Sequence, residues 1–142
     1  MGVTSALVFA NLGAAYGTAK AGVGIASLGV IDSSKIYKAL IPIIMAGILG
    51  IYGIIISSLL SQDCKNAASG NGNGFAILGA GLCCGLSALA SGLAIGVAGD
   101  AGVRAFAQTD AIYVGMILVM IFAEAIGLYG LIIAIVIRQS IA

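Results

Sequence analysis

Long apolar stretches separated by short polar clusters set the pattern of this chain. Residues 3–30 carry one charge, Lys20. Residues 39–60 carry none, nor do residues 75–99. Residues 111–137 carry only Glu124. Each stretch exceeds the ~20 helical residues that cross ~30 Å of hydrocarbon. The polar clusters between them are Asp32-Ser33-Ser34-Lys35, an Asn/Gly-rich segment at 61–74, and the stretch from Asp100 to Asp110. Runs such as Ile41 to Ile56 do not alternate and are too long for barrel strands of about ten residues. The pattern predicts four transmembrane helices over 3–30, 36–60, 75–104 and 110–138, in a single membrane domain spanning 1–142. The first stretch lacks the basic start of a signal peptide and is read as a span.

Composition agrees. Of 142 residues, 61% are hydrophobic and 8% are charged, with 22 glycines. So few charges cannot clothe a water-facing surface. The hydrophobicity excludes intrinsic disorder, and a net charge of +1 excludes a basic nucleic-acid-binding surface. Lys35, Lys38 and Arg104 against Lys65 and Arg138 give a small positive-inside bias. It places loops 31–38 and 104–110 in the cytoplasm, with both termini and the 61–74 loop on the lumenal side.

The chain repeats itself. Ile51-Tyr52-Gly53-Ile54-Ile55-Ile56 matches Leu128-Tyr129-Gly130-Leu131-Ile132-Ile133 at a shift of 77. Small residues at every fourth position relate the first and third helices at a shift of 74, which implies a small insertion between paired helices. Repeat 1 covers about 3–60 and repeat 2 about 75–138. Two tandem hairpins follow, each with a small-residue first helix and a bulkier second one. Small residues four apart share a helix face and let backbones approach closely in lipid. Gly13, Gly17, Gly22, Cys84, Ala88, Gly92 and Gly96 form such faces. Their breadth suggests helices of several copies crowded into a ring; packing within one chain is the plainer alternative.

Glu124 aligns with Gly47, so one repeat carries a mid-span carboxylate and the other does not. Desolvation penalises a charge at that depth, so the group is expected to be neutral in lipid and to ionise on meeting water or a cation. That behaviour suits a proton carrier. A pair with Lys20, the only other charge within a span, is the structural alternative. Tyr52, five residues past Gly47, could hydrogen-bond the carboxyl or serve as aromatic packing. Tyr129, five residues past Glu124, points off that face. Sodium would need several oxygen ligands, yet Ile48, Leu49, Ala123, Ala125 and Ile126 supply no side-chain oxygen. This favours H⁺. Asp100 and Arg104, four apart, suit a local salt bridge. Cys83 and Cys84 read as small packing residues, and Cys64 has no assigned role. No metal set, cofactor motif or ATP-hydrolysing motif is present in the sequence.

The segments Leu12–Lys20, Ile44–Gly47, Gly96–Arg104 and Ile121–Ile132 resemble the proteolipid c family of the eukaryotic vacuolar-type H⁺-ATPase. The last, IFAEAIGLYGLI, is the most specific. The resemblance implies an all-α membrane protein assembled into a rotor ring. Its first and third helices would line the ring interior, and its second and fourth would face outward. Glu124 matches the family's proton-carrying glutamate, the target of dicyclohexylcarbodiimide, and Tyr52 a tyrosine near it. Implied partners are the a-type stator with its arginine, the c″ and d rotor components, and membrane lipid. The implied location is the vacuolar or endomembrane system. A sister c-type paralogue, a Na⁺-carrying rotor and a non-motor pore are the competing readings.

Overall fold

The computed structural model describes residues 1–67 and 73–141. Helix α1 is Gly2–Ile31, the four-residue α2 is Ile36–Ala39, and α3 is Ile41–Ala67. Helix α4 is Gly74–Gln108 and α5 is Tyr113–Ile141. Four apolar helical stretches are long enough to cross a membrane, with α2 and α3 forming one of them. The chain is an all-α membrane protein of two helical hairpins.

Local chemistry sets the helix ends. Asp32 stops α1 in extended backbone and accepts from the Ser34 amide at 3.0 Å and its hydroxyl at 2.6 Å. This Asx turn replaces the helix ladder. Pro42, without an N–H, cannot bond the carbonyl four residues back, and the helix breaks at Leu40 between α2 and α3. Helix α3 runs on to Ala67, past the expected end at 60, since residues 61–67 contain no Gly or Pro. Of the expected 61–74 loop, residues 68–72 lie outside the described residues. Helix α4 continues past 104 to Gln108, with Arg104 and Asp100 paired at 2.8 Å along it. Helix α5 begins at Tyr113, after a 3-10 turn over Asp110–Ile112, and continues past 138 to Ile141.

Helices α1 and α4 pack along each other, α3 lies against α1, and α5 against α4. Glycine makes the α1–α4 approach possible. A Cβ on Gly92 would run into the backbone of Gly13, and one on Gly13 would lie 2.6 Å from the Ala88 carbonyl oxygen. Gly13, Gly17, Cys84, Ala88, Gly92 and Gly96 are thus all buried within one chain. Gly22 differs: a Cβ there would meet nothing within 4 Å.

One shift relates the two hairpins in both helices. Asp32 and Thr109, 77 apart, stop α1 and α4 in extended backbone, and each accepts from the amide two residues on. Their own amides donate to Leu28 and Ala105, again 77 apart. A Cβ on Gly53 would lie 2.5 Å from the Ala10 Cβ, and one on Gly130 2.5 Å from the Ser87 Cβ. Gly50 faces Ala14 as Gly127 faces Ser91. These are all shifts of 77. The shift of 74 expected for the first and third helices, with its insertion, is replaced by 77 throughout. The small-residue stripe is nearly self-similar when slid along itself, so it could not set the register.

Charges clamp the hairpins at both ends. Lys35 Nζ lies 2.7 Å from Asp110 and 5.2 Å over the Phe106 ring. At the opposite end, Arg138 bonds both oxygens of Asp63, at 2.6 and 3.3 Å.

Candidate functional site

Helices α3 and α5 of the two hairpins meet through a polar pair. The Tyr52 hydroxyl on α3 lies 3.3 Å from Glu124 Oε1 on α5. Glu124 follows Tyr113 by 11 positions and precedes Ile141 by 17, roughly 16 and 26 Å along α5. It is half-buried. Oε2 has no hydrogen-bond partner among the described residues. A buried carboxyl oxygen without a partner is costly when charged, and far less so when the group carries a proton.

Ser91 is a residue that sequence reasoning missed. Buried on α4, its hydroxyl donates to the Ala123 carbonyl at 2.6 Å, one position before Glu124. Its equivalent in the first hairpin is Ala14, which has no hydroxyl. Glu124 and Ser91 therefore occur together in one hairpin and are both missing from the other. The correct shift of 77 would have exposed this pairing; the shift of 74 concealed it. Leu49 is fully buried, against Gly127 and beside Ser91.

Other candidates stand apart. Tyr129 is 62% exposed and turned away from Glu124. Lys20 is exposed on α1, beside Gly96, and forms no ion pair among the described residues. No group of three or more His, Cys, Asp or Glu that could hold a metal occurs among the described residues. The fully buried Cys84 points its thiol at the Tyr52 carbonyl, 3.8 Å away, and packs behind the tyrosine.

Two copies of one family model, that of the ATP synthase C subunit, match residues 1–60 and 78–137. The starts of these segments are 77 apart, as are their ends. A V-type proton ATPase 16 kDa proteolipid from Chrysotila carterae is 55% identical over 145 residues, covering 99% of this chain and 88% of that protein. The V-type proton ATPase 16 kDa proteolipid c of Ovis aries is 52% identical over 140 residues, covering 99% and 90%. The V-type proton ATPase 16 kDa proteolipid c 2 of Caenorhabditis elegans is 52% identical over 142 residues, covering 99% and 88%. The chain belongs to the V-type proteolipid c family. Within this family's two-hairpin frame, the present chain has a carboxylate at 124 and glycine at 47.

Proposed function

We propose that this chain is a proton-translocating rotor component of the membrane sector of a vacuolar-type ATPase, with Glu124 as its proton carrier. The observation that carries the reading is a half-buried carboxyl, midway along its helix, with one partner among the described residues, the Tyr52 hydroxyl, in a chain that belongs to the proteolipid c family. A neutral carboxyl can pass through lipid, and a charged one cannot. Protonation at an aqueous half-channel therefore lets the site enter the bilayer. An arginine on the a-type stator would favour the ionised form and force release on the other side. ATP hydrolysis elsewhere in the complex supplies the torque. Tyr52 holds the carboxyl in place, and Ser91 fixes the α5 backbone from which it projects.

The same reading makes this chain one member of a ring, with c″ and d as rotor partners. It places the chain in vacuolar or other endomembranes, with both termini in the lumen and the turns at 31–38 and 104–110 in the cytoplasm. The transported ion is H⁺. Leu49 and Gly127 at the α3–α5 contact offer no side-chain oxygen, and the hydroxyls nearby are already engaged, Tyr52 with the carboxyl and Ser91 with the Ala123 carbonyl. Carbodiimide labelling of Glu124 at fixed pH tests the ion. Added Na⁺ is expected to leave the labelling rate unchanged; protection by Na⁺ would make this a sodium carrier.

A further inference from the structure

A second polar cluster lies between the hairpins, away from Glu124. Beside the turn that follows α1, a cavity of about 320 Å³ opens at the helix ends. Ser34, Lys35, Lys38, Phe106, Asp110 and Tyr113 line it, so both hairpins contribute. The duplication does not repeat its cations: 77 positions on from Lys35 and Lys38 stand Ile112 and Gly115.

Only part of this lining is engaged within the chain. Lys35 Nζ lies 2.7 Å from Asp110, 4.0 Å from Asp32 and 3.4 Å from the Phe106 carbonyl. The Ser34 hydroxyl donates to Asp32. Lys38 is exposed and forms no ion pair among the described residues. The Tyr113 ring rests against Phe106, with centroids 5.1 Å apart, and its hydroxyl has no hydrogen-bond partner among the described residues. The open donors are therefore an ammonium and a phenol. Together they suit an oxygen that carries negative charge. Lys35, bonded to Asp110, offsets the repulsion that this carboxylate would exert on such a ligand.

The surroundings decide what bears that oxygen. Beside the cavity the exposed side chains are apolar or aromatic, with Tyr37 84% and Val114 66% exposed. Beyond it, Ile41, Met45 and Ile48 continue one face of α3 from Lys38 to Tyr52, and all three are half-buried. Ile117 does the same on α5 between Tyr113 and Glu124. Those 11 positions of α5 span about 16 Å, close to half the hydrocarbon thickness of a bilayer. A phosphate at Lys38 and Tyr113 thus stands at the head of an apolar seam one acyl chain long. Basic pockets between membrane helices hold anionic headgroups in this way. We infer that the cavity binds the phosphate of an anionic phospholipid, one per chain, with Lys38 and Tyr113 as its donors and an acyl chain along the α3–α5 seam. A free phosphate ion would meet the same donors and leave the seam unused. The inference does not depend on the proton-carrier reading.

Amine acetylation, mapped by mass spectrometry, tests it on the assembled membrane complex in lipid nanodiscs, which are open to the reagent on both faces. Phosphatidylcholine nanodiscs are compared with nanodiscs that also contain phosphatidylglycerol, which has no amine of its own. Lys65, exposed at the opposite end of the helices, reports the general effect of a charged surface. With phosphatidylglycerol, acetylation of Lys38 is expected to fall about fivefold further than that of Lys65, the scale of one lysine–lipid contact. Equal protection of the two lysines would overturn the inference. Equal protection of Lys38 by inorganic phosphate in phosphatidylcholine nanodiscs would overturn it too, making the cavity a soluble-anion site. Tyr113→Phe, which keeps the ring against Phe106, should shrink the protection of Lys38 and leave Lys65 as it was. Protection unaltered by Tyr113→Phe would overturn the placement of the phosphate in this cavity.

Discussion

The Tyr52 hydroxyl and Glu124 Oε1 lie 3.3 Å apart, on helices from different hairpins. The Glu124 carboxyl is thus held across the junction of the two repeats, and its geometry depends on how the hairpins dock. At 3.3 Å the bond is long for O–H···O, and a net worth of about 1 kcal/mol is the appropriate scale. Tyr52→Phe removes it and keeps the ring. The expected outcome is an assembled complex that still pumps, with the pH profile of carbodiimide labelling at Glu124 displaced by up to about one unit. An unchanged profile would take Tyr52 out of the site.

Ser91 reaches the same site from behind. Its hydroxyl is buried and bonded to the Ala123 carbonyl at 2.6 Å. In Ser91→Ala that bond is lost, at a cost of about 1 kcal/mol in stability. A merely structural role would stop there. A positioning role adds a change in the rate at which Glu124 is labelled, which Ser57→Ala, bonded to Ile54 within α3, should not produce. Equal labelling rates in both variants would leave Ser91 as packing.

The number of helices, their hairpin order and the lone carboxylate were legible in the sequence because each rests on a strong physical signal. An uninterrupted apolar stretch of span length has one reading, and a mid-span carboxylate stands out against it. Register along the first and third helices was not legible. Ala, Gly, Ser and Cys fill similar space, so the stripe through Ala10, Ala14, Cys84 and Ala88 matches itself at several shifts. The register is carried by the Tyr-Gly pairs and by the turn chemistry of Asp32 and Thr109. Helix α3 overran its expected end because residues 61–67 are polar without a helix breaker. Polarity marks the membrane surface, and only Gly, Pro or a capping residue marks a helix end.

The turn after α1 carries its own pH dependence. The Ser34 hydroxyl and amide, bonded to the exposed Asp32, hold its carboxyl below the ordinary carboxylate range. A group with a lowered folded value contributes fully above its unfolded value, about 3.9, and its contribution is lost as pH falls through the lower folded value. Protection of the Ser34 amide, taken as its exchange rate relative to the intrinsic rate at each pH, is expected to hold down to about pH 4 and to fall below it. In Asp32→Asn, which keeps a side-chain acceptor without a carboxyl to titrate, that acid step should vanish. An identical acid step in both forms would assign it to another group.

Glu124→Gln tests the proposed carrier role directly. The amide keeps the size of the side chain and its ability to meet Tyr52, and it cannot give up or take on a proton in the transport cycle. Vesicles holding the purified complex, built with this variant, should contain a fully assembled ring and show no ATP-driven acidification. Acidification at the unaltered rate by the assembled variant would contradict the account.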